Sequence, residues 1–170
     1  MAAFFITMNS PIGVLKLVSD ELSLKMIEFD ADYIEVKTYI PEILFRSKKQ
    51  LEDYFLGNRQ LFDLPIDPDG TDFQHRVWNN VVDVKYGFTK SYLEIARATG
   101  SEKSSRAVGM ANARNPLPIV IPCHRIIGNN GKLTGYAGGL ERKKWLLFHE
   151  QQNSGKNLLF QEKETMNFIS

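Results

Sequence analysis

The connector "LFDLPIDPDGT", residues 61–71, separates two parts of the chain that differ in character. It contains two prolines, three aspartates and a glycine, a composition typical of exposed linkers between domains. A chain of 170 residues has enough length for one ordinary domain or two small ones. We therefore predict one domain over residues 1–69, a second over 70–151, and a polar tail over 152–170.

The part before the connector has the pattern of short strands. The segments "FFITMNS", "GVLKLVSD" and "LSLKMIEFD" are rich in branched and aromatic residues and are separated by turn signals, which predicts a strand-rich fold. One helix, "SKKQLEDYFLGN", is expected to follow and to end at Gly57-Asn58.

The part after the connector is predicted to be mostly helical. Thr71 with Gln74, and Ser91 with Glu94, each form a capping-box sequence at a helix start, and Ser101 is a candidate cap for a third helix. The three helices are expected to end at Gly87, Gly100 and Asn115-Pro116. The last two would form a helix-turn-helix, an arrangement that also occurs in proteins that bind no nucleic acid.

Two further elements complete the predicted fold, a mixed α/β chain with a strand-rich first domain and a mostly helical second one. The apolar segment "LPIVIPCHRII" reads as a buried strand that Pro122 interrupts. The segment "LERKKWLLFHE" reads as an amphipathic helix. Its core-facing residues are expected to be Leu140, Trp145, Leu147 and Phe148.

Charge is unevenly distributed along the chain although the net charge is only +1. Residues 1–75 hold 7 basic and 13 acidic residues, whereas residues 76–125 hold 8 basic and 3 acidic ones. This pattern fits either a face that meets a polyanion or ordinary surface charge. No stretch is apolar enough for a membrane helix, and a single cysteine without an export signal favours a reducing cytoplasmic setting.

Cys123 is the only cysteine and the main candidate for chemistry. A lone cysteine most often only packs in a core, but Pro122 is expected to turn the chain and expose the thiol in a pocket. His124 could act as the base that a nucleophilic thiol needs, with Glu150 or His149 to orient it. One cysteine and three scattered histidines do not make a zinc site, so we expect no metal.

The segments "IPCHRIIG", "RAVGMANARNP", "TGYAGG" and "KKWLLFHE" resemble the O6-alkylguanine-DNA alkyltransferases, also called methylated-DNA–protein-cysteine methyltransferases. The resemblance extends from about Ser10 to Glu150. It implies a ribonuclease H-like first domain and a second domain with a helix-turn-helix and an active-site loop. It also implies a monomer without cofactor that acts once on double-stranded DNA. The alkyl group of O6-alkylguanine, with O4-alkylthymine left open, would pass to Cys123 after nucleotide flipping.

The resemblance also implies roles for individual residues. Cys123 would be the acceptor, His124 its base through a water, Glu150 the orienting carboxylate, Asn115 a brace for the cysteine loop, and Tyr92 a donor to guanine N3. Arg106 would replace the flipped nucleotide in the base stack. In addition to Arg106 and Tyr92, the residues Ser105, Ala107 and Gly109 are expected to bind DNA. The alkylguanine pocket is expected to comprise Pro118, Arg125, Ile126, Tyr136, Ala137, Gly138 and Lys143.

Two positions depart from the pattern of some family members. Ala137 stands where some have serine, and Asn112 where some have methionine, so tolerance for bulky alkyl groups is expected to differ. Three alternatives stay open. The first is an alkyltransferase-like damage binder, in which the cysteine is commonly replaced by tryptophan. The second is a helix-turn-helix regulator with a redox cysteine. The third is a cysteine hydrolase, for which no oxyanion-hole pattern is visible.

Overall fold

The computed structural model describes residues 3–155, in a chain that divides into two compact units, Met1–Asp69 and Gly70–Ser170. Most of the predicted polar tail lies outside the described residues. Within the described range, no helix combines the length and apolar character needed to cross a bilayer.

The first unit is built on a three-stranded antiparallel sheet. Its strands are β1 (Phe4–Met8), β2 (Leu15–Ser19) and β3 (Leu24–Glu28), in the order β1-β2-β3. Helix α1 (Glu42–Phe55) follows, and its buried side chains form a core with those of the sheet. The three predicted strands are confirmed, and α1 begins five residues before the predicted segment.

The second unit contains four helices and one pair of short strands among its described residues. In chain order they are α2 (Asp72–Val82), β4 (Lys90–Ser91), α3 (Tyr92–Ala98), α4 (Ser105–Ala113), β5 (Ile126–Ile127) and α5 (Leu140–Asn153). Strands β4 and β5 pair in parallel. Helix α5 continues two residues past 151, the predicted end of the second domain.

Both predicted capping boxes are present. At α2, the Gln74 amide donates to the Thr71 hydroxyl at 3.2 Å, and the Thr71 amide donates back to Gln74 Oε1 at 2.8 Å. At α3, the corresponding distances between Ser91 and Glu94 are 3.1 and 2.7 Å. The predicted end of α2 at Gly87 is wrong. The helix stops at Val82, after which the chain turns and buries two further side chains, Val84 and Tyr86.

Helices α3 and α4 form the predicted helix-turn-helix. The turn passes through Gly100, whose φ of +102° is open to glycine at little cost, and Ala96 is fully buried. The predicted cap at Ser101 is wrong, because its side chain makes no capping hydrogen bond. Its carbonyl instead accepts from the Ser104 amide and hydroxyl at 3.1 and 2.6 Å. A short 3-10 turn over Glu102–Ser104 therefore precedes α4.

The segment leading to Cys123 is buried but is not the predicted strand. Ile119 has a φ of +76°, an unusual value for a β-branched residue. The Cys123 amide donates to the Ile121 carbonyl at 2.7 Å, and Pro122 between them has φ −80° and ψ 62°, an inverse γ-turn. A 3-10 turn over Cys123–Arg125 follows. The prolines of this segment lack the N–H donors that a strand ladder requires.

The buried face of helix α5 coincides only in part with the predicted one. Leu140 and Phe148 are 42% and 47% exposed, so the expectation that they pack in the core is wrong. The buried face consists of Lys143, Leu146, Leu147, Glu150 and Gln151, which follow helical spacing, so the predicted burial of Leu147 is confirmed. Two of these five are charged, so the core of this unit receives a cation and an anion from one helix.

Candidate active site

The thiol of Cys123 is buried, with only 4% of the residue exposed. The expectation that the turn at Pro122 exposes it is therefore wrong, because the 3-10 turn points the cysteine inward. Burial raises the pKa of Cys123 to about 11, and a hydrogen bond from the Asn115 side chain and the charge of Lys143 oppose this shift. The resting residue is a neutral thiol.

His124 and Glu150 form a fully buried pair. His124 Nε2 lies 2.6 Å from Glu150 Oε1. Burial lowers the pKa of His124. Burial alone raises the pKa of Glu150, but His124 and Arg125 together hold it well below its usual range. A neutral imidazole beside a carboxylate donates from Nε2, which leaves the lone pair of Nδ1 free. No group among residues 3–155 hydrogen-bonds to that nitrogen, so it can act as a base.

Arg125 holds the Glu150 carboxylate from the other side. Its Nε donates to Oε2 at 2.9 Å and its Nη2 donates to Oε1 at 3.0 Å. Its Nη1 donates to the Val84 carbonyl at 2.6 Å, and the Gly87 amide donates to Glu150 Oε2 at 3.1 Å. Because all three guanidinium nitrogens point into this network, the structure contradicts the placement of Arg125 in the alkylguanine pocket.

Asn115 braces the loop before the cysteine, as the resemblance implies. Its Nδ2 donates to the Ile121 carbonyl at 2.8 Å, and its Oδ1 accepts from the Leu117 amide at 2.9 Å. These bonds satisfy backbone groups that the irregular segment cannot pair within a ladder. The Asn115 side chain also acts on the thiol of Cys123, whose pKa it lowers as a donor.

Lys143 is a buried amine near Cys123. It donates to the Ile126 carbonyl at 2.6 Å and to the Thr134 carbonyl at 3.1 Å, and it lies 5.9 Å from the centre of the Tyr92 ring. Burial lowers the pKa of Lys143 to about 8. Its positive charge favours the thiolate of Cys123, which gives the buried lysine an electrostatic part in the site.

Tyr92 and Asn112 connect the helix-turn-helix to the acceptor. The Tyr92 hydroxyl donates to the Thr134 carbonyl at 3.2 Å, and Asn112 Nδ2 donates to the Cys123 carbonyl at 3.2 Å. From the sequence, Asn112 was only a departure from the family pattern. The signal that could have identified it is a polar residue on the buried face of α4, which it shares with Val108 and Ala111.

Four of the residues expected to bind DNA lie on α4 and differ in exposure. Arg106 and Ala107 are exposed, and Ser105 is half-buried. Gly109 faces the Tyr92 ring, since a Cβ at this position would lie 3.8 Å from ring carbons. Small residues and an exposed arginine allow the helix to approach a nucleic-acid groove closely.

The remaining predicted pocket residues lie before and after the buried cysteine in the sequence. Pro118, Ile126 and Gly138 are buried, Tyr136 is half-buried, and Ala137 is exposed. The pKa of Tyr136 is raised well above its usual value, first by burial and then by the neighbouring Cys123. Tyr136 thus lies near Cys123.

Comparison with known proteins gives the same assignment over both units. The ribonuclease-like domain of 6-O-methylguanine DNA methyltransferase matches residues 4–68, and the DNA-binding domain of that family matches residues 72–152. A methylated-DNA–protein-cysteine methyltransferase from Methanosarcina barkeri is 45% identical over 159 residues, which cover 88% of this chain and 98% of the relative. The constitutive enzyme of that name from Bacillus subtilis is 38% identical over 161 residues, or 90% and 98% of the two chains.

Solved structures agree with these sequence matches. The Mycobacterium tuberculosis O6-methylguanine methyltransferase superposes with a TM-score of 0.81 at 40% identity, covering 94% of this chain and 99% of the other. The M. tuberculosis OGT in complex with DNA gives 0.81 at 38% identity, covering 98% and 99%. The fold class expected from the sequence is confirmed, and this chain belongs to the 6-O-methylguanine DNA methyltransferase family.

Proposed function

We propose that this protein repairs DNA by direct reversal, transferring an alkyl group from the O6 atom of guanine in duplex DNA to Cys123. The observation that carries the proposal is the buried series of Cys123, His124 and Glu150, in which a neutral thiol neighbours a histidine oriented for base chemistry. Relatives that match most of the chain are methylated-DNA–protein-cysteine methyltransferases.

The chemical step begins with removal of the thiol proton. With a pKa of about 11, roughly one thiol in 10,000 is ionised at pH 7, so the acceptor needs a base. His124 Nδ1 takes the proton through a water, and Glu150 stabilises the imidazolium that forms. The sulfur then bonds to the alkyl carbon, the C–O6 bond breaks, and the bonding electrons remain on guanine, which takes up one proton. Overall, the thiol loses one proton and the released guanine gains one.

The alkylated base must leave the helix before this step, because its O6 carbon cannot be reached inside a stacked duplex. Arg106 fills the gap, and its charge is attracted to the phosphates. Tyr92 supplies a hydrogen bond to guanine N3 as the base departs. Helix α4 lies in the minor groove, where sequence information is poor, which suits a protein that must read damage in any sequence.

Each molecule acts once. The product is a thioether on Cys123, whose C–S bond does not exchange with thiols as a disulfide does, and the chain has only this one cysteine to alkylate. We further infer a monomer that needs neither metal nor cofactor and works in the reducing cytoplasm, where a lone thiol stays reduced. O4-alkylthymine carries its alkyl group on the same kind of exocyclic oxygen and belongs among the substrates to be tested.

Intact-protein and peptide mass spectrometry test the proposal directly. After incubation with a duplex that carries O6-methylguanine, the peptide containing Cys123 should gain the mass of one methyl group, without turnover. Cys123→Ser should bind the same duplex and gain nothing. Tight binding by the unmodified protein without any mass change would favour a damage binder, and repair by Cys123→Ser would refute the acceptor.

A further inference from the structure

Asn112 lies at the junction between α4 and the acceptor cysteine. It is buried in the last turn of α4, and its Nδ2 donates to the Cys123 carbonyl at 3.2 Å. The same side chain neighbours the Tyr92 hydroxyl at the start of α3 and, as a donor, lowers the pKa of that group. One amide group therefore joins both helices of the helix-turn-helix to the reacting residue.

The chemistry of its partners fixes the orientation of this amide. The Tyr92 hydroxyl donates its proton to the Thr134 carbonyl, so its oxygen is left to accept, and the Cys123 carbonyl can only accept. Both partners therefore need a donor, and Nδ2 of an asparagine carries two N–H groups. Oδ1 is then turned away from them, and it meets no donor within the described range of the chain.

Leaving Oδ1 of Asn112 buried without a partner costs free energy, which only the hydrogen bonds donated by Nδ2 can offset. A buried carbonyl oxygen without a partner loses its hydration and gains nothing in return, and native structures keep few of them. The hydrogen bonds also continue beyond Tyr92, because the Thr134 carbonyl accepts from Lys143, which also donates to the Ile126 carbonyl. These contacts thus link the Cys123 carbonyl, through Asn112, Tyr92, Thr134 and Lys143, to the carbonyl of Ile126, three residues after the cysteine.

We propose that Asn112 is a positioning residue for alkyl transfer, whose amide holds the Tyr92 hydroxyl and the Cys123 segment at a fixed spacing around the alkylated base. This rests on the proposed function, in which the Tyr92 hydroxyl exchanges its hydrogen bond to the Thr134 carbonyl for one to the departing guanine while Cys123 takes the alkyl group. Burial raises the pKa of Tyr92, and its hydrogen bonds, including that of Asn112, oppose the rise. A hydroxyl that already accepts a hydrogen bond is a stronger donor, so the amide assists Tyr92 as well as placing it.

Two variants separate this role from simple packing. Asn112→Leu has a similar size but no donor. Asn112→Asp keeps the shape and has a donor only when its carboxyl group is protonated. The titratable groups that face this position are Tyr92 on α3, Cys123 on the acceptor segment, and Lys143 of α5, which lies near the Tyr92 ring.

Single-turnover transfer from a duplex carrying one O6-methylguanine is measured for both variants and the unmodified protein between pH 6 and 8.5. At pH 8 we expect both variants to be slower by roughly tenfold, the factor for about one lost hydrogen bond. As the pH falls, the rate of Asn112→Asp relative to the unmodified protein should recover several-fold. The relative rate of Asn112→Leu should stay constant.

Three results would overturn the positioning role: Asn112→Leu at the unmodified rate, a constant relative rate for Asn112→Asp across the pH range, or recovery of both variants at low pH. Tryptophan fluorescence and binding to undamaged duplex serve as controls for folding, and Asn112→Asp carries the test if Asn112→Leu does not fold. Failure of the unmodified protein to gain a methyl group would instead refute the proposed function.

Discussion

Replacing Arg125 with methionine should leave the Glu150 carboxylate as a buried charge without its main counter-charge. The guanidinium donates two hydrogen bonds to Glu150, at 2.9 and 3.0 Å, and one to the Val84 carbonyl at 2.6 Å. Removing one partner of a buried ion pair costs about 3–5 kcal/mol, out of the roughly 5–15 kcal/mol that stabilises an ordinary domain. We expect the free energy of unfolding to fall by that amount.

Urea unfolding followed by intrinsic fluorescence suits this measurement, because both tryptophans, Trp78 and Trp145, lie in the second unit. The matched control is the double variant Arg125→Met with Glu150→Gln, which removes both charges. Its loss of stability should be smaller than the sum of the two single losses by about 0.5–3 kcal/mol. Additive losses would refute the reasoning, since they would mean that the two charges do not depend on each other.

The same change should alter the pH dependence of transfer. The positive charge of Arg125 lowers the pKa of His124, although burial contributes more. Without that charge the His124 pKa rises, the imidazole gains its proton at a higher pH, and the base is lost earlier as the solution is acidified. The acid limb of the single-turnover rate should therefore move to higher pH in Arg125→Met. An unchanged limb, or a shift to lower pH, would contradict this sign.

Three further outcomes are expected. In the unmodified protein the transfer rate should hold as pH falls to 6.5, the ordinary pKa of histidine, and drop only below it, because burial lowers the pKa of His124; a midpoint above 6.5 would contradict a neutral base. Arg106→Ala should slow repair of duplex DNA more than reaction with free O6-benzylguanine, whereas Lys103→Ala, at an exposed position, should not; equal losses on both substrates would mean that Arg106 does not replace the flipped nucleotide. Gly87→Ala should cost about 1 kcal/mol or more of stability in urea unfolding, since φ is +74° and the new carbon would lie 2.7 Å from Ser154; unchanged stability would contradict this.

Sequence patterns predicted the features that depend on near neighbours in the chain. The capping boxes at Thr71 and Ser91 join groups three residues apart, so their geometry follows once a helix begins. The three strands show the branched and aromatic composition that a half-buried sheet favours. The adjacent Cys123 and His124 likewise needed no knowledge of the fold to suggest an activated thiol.

Features that depend on partners far away in the sequence could not be predicted from local sequence patterns. Lys143 and Glu150 look like surface residues of an amphipathic helix, and only contacts with Ile126, His124 and Arg125 make their burial favourable. The role of Arg125 was misjudged for the same reason, because its partner is 25 residues away. The resemblance implied a place for Arg125 in the pocket, whereas the fold directs its side chain to Glu150 and the Val84 carbonyl.

The burial of Cys123 also bears on how long the protein lasts before it meets damage. An unperturbed cysteine, with a pKa of about 8.5, is a few per cent thiolate at neutral pH, whereas a thiol with a pKa of about 11 is ionised several hundred times less often. Oxidants and metabolic electrophiles react with accessible thiolates. The only thiol of the chain, which reacts once, is therefore lost slowly to side reactions. It stays available for a base that brings the reacting carbon to the buried sulfur.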